Sequence, residues 1–209
     1  ERLYGTKTKK RSNSGDEALL PPPPIEKGLH KFALEYAHLI CPGFEIDALV
    51  DIMLAELEGL VEGAAGGRLM INPPPRSSKT TCAILALCYS LLRYPDRGHI
   101  LISSNGRLAA MNSQKMKTLF EYACPEGYGI RKDTKSKIAW APDWEGGREQ
   151  VAASRGAALL GYTGHLVLVD DIVGNIAECE STEIMESAMR TIGVDIQTRL
   201  TKDKANKAA

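Results

Sequence analysis

The sequence predicts an α/β fold in which a mostly parallel sheet lies between helices. Three observations support this prediction. Apolar strand-like segments alternate with helical ones over most of the chain, residues 99–105 are apolar without polar alternation, and residues 79–92 are apolar on nearly all sides. A strand without alternation is typical of a sheet covered on both faces, and regular alternation of strands with helices is typical of parallel sheets.

The composition is that of a globular protein and excludes several classes. The chain has 209 residues, of which 44% are hydrophobic and 25% charged, and its 26 basic and 26 acidic side chains cancel. Net charge therefore gives no reason to expect nucleic acid or a membrane, although a local basic patch stays open. The five scattered cysteines have no C-x-x-C spacing, which argues against a disulfide framework and favours a reducing compartment. No apolar run is long enough to cross a bilayer, so no membrane partner is expected.

The chain divides into three predicted regions. Residues 1–24 are polar and basic and end in consecutive prolines, which predicts a disordered leader; an arm that touches DNA or a partner is the alternative. Residues 25–66 carry two apolar stripes at helical spacing and form a predicted N-terminal helical lead-in. Residues 67–209 form the predicted α/β core.

Within that core, the apolar pattern predicts strands and helices in a definite order. The strands are predicted at residues 68–72, 99–105, 136–141, 148–154 and 165–171. The helices are predicted at residues 79–92, 108–120 and 184–200. The first loop of this core therefore lies between a strand and a buried helix, where α/β proteins commonly bind ligands.

That loop, within INPPPRSSKTT at residues 71–81, carries candidate phosphate-binding residues. A phosphate site needs backbone N–H groups at a helix N-terminus, a lysine and a hydroxyl. The candidates are Pro75, Arg76, Ser77, Ser78, Lys79, Thr80 and Thr81. We expect Lys79 to reach the β- and γ-phosphates of ATP, Thr80 to ligate Mg²⁺, and Arg76 to add a cation near the γ-phosphate. The general loop G-x-x-x-x-G-K-[ST] has glycines where this chain has Pro73 and Ser78, so a proline-stiffened turn with a solvated lysine is the alternative.

A second motif follows the predicted strand at residues 165–171, where LVLV runs into Asp170 and Asp171. An apolar strand that ends in two acids is the Walker B arrangement. Asp170 is predicted to hold Mg²⁺ through its water shell and Asp171 to polarise the attacking water. An ordinary acidic turn is the alternative, but both motifs occur in the expected order with strands between them. Together they predict a P-loop NTPase of the ASCE, RecA-like type.

The two motifs resemble those in the ATPase domain of tailed-phage terminase large subunits, which package DNA. The resemblance is carried by MINPPPRSSKT and LLGYTGHLVLVDDIVGNIAECES. The matching residues are Asn72, Pro74, Pro75, Arg76, Lys79, Thr80, Thr163, Gly164, Asp170, Asp171, Asn175 and Glu178. Two positions depart from the family pattern, because Ser78 replaces a usual glycine and His165 stands where arginine is common.

The resemblance implies a Mg²⁺-dependent ATPase that drives double-stranded DNA into a viral capsid. It further implies a capsid portal, a terminase small subunit and neighbouring subunits of a ring as partners, in the host cell cytoplasm. An arginine before Walker B would act across the ring. Arg155 lies in that region, with a solvated loop arginine as the alternative, and Arg107 ranks below it.

The family's coupling segment and nuclease domain would follow residue 200. The prediction is therefore a C-terminally truncated ATPase core without nuclease activity. Two other functions stay open at this point: a weak or inactive nucleotide-binding module of a packaging motor, and another P-loop nucleic-acid motor such as a helicase.

Overall fold

A computed structural model describes residues 19–63, 67–134, 136–157, 159 and 161–200. It shows an α/β arrangement in which a four-stranded, mostly parallel sheet is flanked by helices. The helices are α1 (Leu29–Tyr36), α2 (Ala48–Val61), α3 (Lys79–Arg93), α4 (Gly106–Ala123), α5 (Ile176–Glu180) and α6 (Thr182–Arg190). The strands are β1 (His99–Ser103), β2 (Ala139–Trp140), β3 (Gln150–Ser154) and β4 (Leu166–Val169).

The sheet has the strand order β2-β3-β1-β4. Strand β1 is parallel to both β3 and β4, with His99 opposite Gln150 and Leu166, whereas the short β2 is antiparallel to β3. The carboxyl ends of β1, β3 and β4 consequently share one edge of the sheet. Asp170 and Asp171 directly follow β4 and so lie at this edge.

Both faces of the sheet are covered, as the sequence predicted. All residues of β1 are buried. Leu101 packs into a large core shared with α1–α4, while Ile100 and Ile102 pack on the other face against Leu159 and Ile196. Helix α3 is buried at nearly every position after its first turn, which agrees with its apolar sequence. No helix in the described part of the chain is long and apolar enough to cross a membrane.

Residues 19–63 make more contacts with the α/β core than the sequence predicted. Helices α1 and α2 share the core of α3, so the predicted lead-in is part of the same packed unit. Residues 19–24 were assigned to a disordered leader, but the Leu19 carbonyl accepts a hydrogen bond from the Glu145 amide at 2.6 Å. Ile25, directly after the prolines, donates its N–H to the Leu92 carbonyl at 3.2 Å. The rest of the predicted leader, residues 1–18, lies outside the described residues.

Three predicted elements differ from the structure. The strand predicted at residues 136–141 is reduced to the two residues of β2. Residues 68–72 form no strand, because no described strand lies beside them to complete a hydrogen-bonded ladder, and Met70 is 93% exposed. The helix predicted at residues 184–200 is also wrong in extent: α6 begins after Ser181, whose side chain caps it, and ends in a π-helical turn at Thr191–Asp195. Single-sequence periodicity detects apolar faces but not such interruptions.

Candidate active site

The two sequence motifs meet at the carboxyl edge of the sheet. The Lys79 ammonium lies 2.8 Å from Asp171 Oδ1. The neighbouring Thr80 hydroxyl donates a hydrogen bond to Asp170 Oδ2, also at 2.8 Å. The first turn of α3 and the acidic pair after β4 therefore form two adjacent contacts between residues far apart in sequence, which is the convergence that the motifs predicted.

The backbone of both motif loops is strained. Among the described residues, three non-glycine residues have a positive φ: Arg76 (65°), Ser78 (59°) and Asp171 (46°). All three lie in these two loops. The left-handed region costs an L-residue roughly 1–2 kcal/mol, and such strain concentrates at functional sites. Ser78 thus adopts the conformation that a glycine would take easily, at the position where the general motif has a glycine.

The N-terminus of α3 lacks the capping found on comparable helices. Side chains accept hydrogen bonds from the first turns of α2, α4 and α6; these side chains belong to Asp47, Asn105 and Ser181. At α3, Ser78 makes no such side-chain bond, and the first turn contains no acidic residue. The first N–H groups of a helix have no intrahelical acceptor and carry partial positive charge. The start of α3 is therefore suited to an anion such as phosphate.

The remaining predicted loop residues occupy distinct environments. Pro75 and Arg76 are exposed, and Arg76 forms no side-chain hydrogen bond or ion pair with another described residue. The Ser77 hydroxyl is buried without a hydrogen-bond partner in the described chain. Thr81 is buried at 6% exposure, so of the two threonines only Thr80 presents its hydroxyl to the acidic pair.

Asp170 is the buried acid of the pair, with 7% exposure. Burial raises its pKa, the hydrogen bond from Thr80 opposes this rise, and the negative charge of Asp171 adds to it. Lys79 and Lys115 act in the opposite direction. A buried carboxylate beside a second carboxylate is unfavourable unless a cation compensates it, and such acids are common in functional sites.

The oxygen atoms of the site suit Mg²⁺, which needs few protein ligands, better than a metal that needs a complete set of them. The described residues contain no group of three or more His, Cys, Asp or Glu side chains arranged around a metal position. Mg²⁺ is usually held by one or two carboxylates together with water and substrate phosphates. Asp170 and the Thr80 hydroxyl, 2.8 Å apart, supply such a partial set of ligands.

Lys79 stays positively charged at neutral pH. Its hydrogen bond to Asp171 raises its pKa, and this effect outweighs the partial burial that acts against it. Both side chains of the pair remain accessible, with 43% and 47% exposure. Lys79 is thus a charged group held at the N-terminus of α3 by a partner that solvent or a ligand can reach.

Arg155, the candidate for a role across the ring, bonds residues of its own chain. Its side chain is 14% exposed, and its guanidinium donates to the Ile172 carbonyl at 2.7 Å and to Glu178 Oε2 at 3.0 Å. An arginine that acts on a neighbouring subunit has to project outward. In the described chain the side chain is engaged by its own chain, and the expected role across a subunit interface stays a prediction.

Sequence reasoning missed two site residues on α4. Asn112 is 2% exposed and its amide nitrogen lies 3.5 Å from Asp170 Oδ2. Lys115 lies one turn further along the helix and attracts the Asp170 charge. A signal was present, since Asn112 is a polar residue four positions before the buried Met116 on the core face of α4.

Comparison of the chain with protein-family models, curated proteins and solved structures found no match. Its function must be argued from the residues of the site.

Proposed function

We propose that this chain is a P-loop ATPase that binds ATP with Mg²⁺ at the start of α3 and hydrolyses it. The observation that carries the proposal is the pair of adjacent contacts Lys79–Asp171 and Thr80–Asp170. They bring a lysine, a hydroxyl and two carboxylates to an uncapped helix N-terminus, which is the set of groups that phosphoryl transfer to water requires.

Each side chain has a distinct part in this proposal. Lys79 and the first amides of α3 bind the phosphates, and the exposed Arg76 adds positive charge where the γ-phosphate would lie. Thr80 and Asp170 hold Mg²⁺, which when bound neutralises charge on the phosphate oxygens. Asp171 orients the attacking water and accepts its proton. For this, Asp171 must exchange its bond with Lys79 for a bond with water. Nucleotide binding provides that exchange, because Lys79 then binds the phosphates and releases Asp171.

The biological role that fits this chemistry is DNA packaging. The resemblance to terminase large subunits supports a motor that moves double-stranded DNA into a capsid in the host cytoplasm. In such a motor the partners are the capsid portal, the terminase small subunit and further copies of the chain in a ring. Because basic and acidic residues balance, DNA contacts in this proposal are local. The logarithm of the affinity for DNA should then fall with the logarithm of the salt concentration, with a shallow slope that corresponds to a small number of contacted phosphates.

The direct test is ATP turnover by the wild type and by Lys79→Ala, with and without double-stranded DNA. We expect Mg²⁺-dependent turnover that DNA stimulates and that Lys79→Ala abolishes. Lys31→Ala is the matched control, because Lys31 on α1 is 76% exposed, forms a surface ion pair with Glu26 and belongs to no part of the site. Equal turnover by wild type and Lys79→Ala would refute the proposal.

A nucleotide-binding module without turnover is the second candidate. It is favoured by the bond between Lys79 and Asp171, which engages both groups that hydrolysis needs to be free. Stabilisation by ATP and Mg²⁺ in a thermal unfolding experiment, without any phosphate release in the presence of DNA, would support this candidate over the first.

A further inference from the structure

The backbone that carries the acidic pair is fixed at three consecutive residues. Three hydrogen bonds do this: Asp170 N–H to the Ile102 carbonyl (2.9 Å), Ser104 N–H to the Asp171 carbonyl (3.0 Å), and Arg155 Nη1 to the Ile172 carbonyl (2.7 Å). The first two come from the backbone of β1 and the residue after it. The third comes from a side chain, so it is the one that a substitution can remove without altering the sheet.

The same guanidinium also holds the far end of the segment. Arg155 Nη1 lies 3.0 Å from Glu178 Oε2, and this oxygen also accepts the Gly174 N–H at 3.0 Å. The pair is largely shielded, with 14% and 26% side-chain exposure. The Gly174 amide and then Arg155 lower the pKa of Glu178, which therefore stays ionised at neutral pH. One arginine thus connects the residue after Asp171 to the start of α5.

Arg155 is itself attached to the sheet. Its backbone N–H donates to the Ser103 carbonyl at the end of β1, at 2.8 Å. The backbone of Arg155 is consequently held by β1, and its guanidinium is held by Glu178. Both bonds leave one nitrogen, Nη1, at the end of a rigid planar group. A lysine ammonium has enough N–H groups for both acceptors, but it lies at the end of a shorter and flexible stem, so it holds the two acceptors less firmly.

This support acts on a strained residue. Asp171 has a φ of 46°, and a non-glycine residue stays in that region only when surrounding contacts hold it there. The Arg155 bond to the next carbonyl and the Ser104 bond to its own carbonyl are such contacts. We expect loss of the Arg155 bond to let the peptide relax and to move the Asp171 carboxylate away from Lys79.

We propose that Arg155 is a positioning residue, which together with Glu178 holds the 171–178 segment so that Asp171 faces the start of α3. The inference rests on the proposed ATPase function for its effect on rate, but the positioning itself is independent of chemistry. It assigns Arg155 a role within its own chain in place of one across a subunit interface.

The test compares wild type, Arg155→Gln, Arg155→Lys, Glu178→Gln and the Arg155→Gln/Glu178→Gln double variant, with Lys31→Gln as control. Thermal unfolding first establishes that each variant folds. Amide hydrogen exchange then measures protection of the Ser104 N–H, which bonds Asp171. Steady-state kinetics separates kcat from KM for ATP.

We expect Arg155→Gln to lose protection at Ser104 and to lower kcat roughly 10–100-fold with KM nearly unchanged, since it touches no substrate group. Glu178→Gln should act in the same direction, and the double variant should be no worse than Arg155→Gln, because both changes break one connection. Arg155→Lys should fall between wild type and Arg155→Gln.

Unchanged protection at Ser104 in Arg155→Gln would overturn the inference, as would additive losses in the double variant. Restoration of turnover on mixing Arg155→Gln with Lys79→Ala subunits would also overturn it, because it would show that Arg155 acts on a neighbour. Absence of turnover in the wild type would refute the proposed function alone, since exchange at Ser104 reports positioning without chemistry. If Arg155→Gln does not fold, the isosteric Glu178→Gln decides by the same two readouts.

Discussion

The two ends of α3 use similar side chains in opposite ways. At its C-terminus, Glu62 accepts hydrogen bonds from Tyr89, Tyr94 and Arg93, and its side chain is 14% exposed. At its N-terminus, Lys79 and Asp171 pair with more than 40% exposure beside an uncapped first turn and strained loops. Polar groups that satisfy one another fully stabilise a fold, whereas groups left accessible and strained are available to a ligand.

Electrostatics distinguishes the two ends as well. Burial tends to raise the pKa of Glu62, but the bonds from Tyr94, Tyr89 and Arg93 outweigh it and the pKa lies below its ordinary value. At Asp170 burial prevails and the pKa is raised. The folded protein therefore favours the charge of Glu62 and disfavours that of Asp170. A bound cation would favour the charged form of Asp170 and so lower its raised pKa.

The largest effect is expected from the same carboxylate-to-amide change at the two ends. Asp171→Asn should lower ATP turnover by on the order of 10²–10³-fold, as loss of a group aimed at the transition state does. It should change stability little, because an exposed ion pair contributes at most about 1 kcal/mol. Turnover and urea unfolding measured on the same preparation check both statements.

Glu62→Gln is the matched control for that change. It should leave turnover unchanged and lower the free energy of unfolding by about 2 kcal/mol, because a partly buried charged acceptor of several hydrogen bonds is lost. If Glu62→Gln reduces turnover as strongly as Asp171→Asn, the distinction between a structural and a functional end of α3 is wrong.

A pH effect should come from His99 in β1, whose side chain bonds Ser90 in the C-terminal half of α3. There, Ser90 and Gln150 bond the two nitrogens of His99, at 3.0 and 2.7 Å, and burial lowers the pKa of this histidine from 6.5 to about 3. Below pH 6.5 the unfolded chain takes up a proton that the folded chain does not. His99 should thus lower stability by about 3 kcal/mol between pH 7 and pH 4.

Urea unfolding at several pH values, compared between wild type and His99→Gln, measures this contribution. Carboxylates titrate in both proteins, so only the difference between the two curves reports His99. Parallel curves would show that the imidazole is not held neutral.

A smaller effect on stability is expected at the buried acid of the site. Asp170→Asn should raise the free energy of unfolding at neutral pH by about 1 kcal/mol, because it removes a buried charge next to Asp171. The same change should abolish Mg²⁺-dependent turnover. Thermal unfolding and turnover measured together check this opposition; lower stability in Asp170→Asn would contradict the account of the site.

The smallest predicted effect concerns loop strain. Ser78→Gly should stabilise the protein by about 0.5 kcal/mol, since the relief of left-handed strain exceeds the added freedom of the unfolded chain. Ser78→Ala is the matched control and should give no such gain, because alanine keeps the Cβ that makes the positive φ of this residue costly. Chemical unfolding of both variants decides, and destabilisation by Ser78→Gly would show that its conformation is not strained.

The sequence predicted the parts of this structure that depend on local pattern. Strands β1 and β4 and helix α3 have strong apolar signals, and the meeting of Lys79 with Asp171 follows once those elements are placed. Residues 68–72 were predicted as a strand from apolar content, yet a strand exists only where a neighbour pairs with it. That condition is tertiary and no local pattern contains it.

The same limit applies to individual side chains. The inward orientation of Arg155 depends on Glu178 and on a carbonyl of another loop, and the contact of Asn112 with Asp170 depends on how α4 packs. The strain at Ser78 was equally hidden, because serine is common at helix starts with ordinary backbone angles. Motif spacing predicted that the start of α3 and the acidic pair meet, but it did not predict which neighbouring residues contact them.

The central claim is that the start of α3 and the acidic pair form one site for ATP and Mg²⁺. Calorimetric titration of ATP, with and without Mg²⁺, into wild type, Lys79→Ala and Glu62→Gln tests it most directly. We predict that wild type and Glu62→Gln bind equally, that Mg²⁺ strengthens binding, and that Lys79→Ala weakens it about 10–100-fold through loss of charge-assisted hydrogen bonds. The same affinity in wild type and Lys79→Ala, or no dependence on Mg²⁺, would contradict the claim.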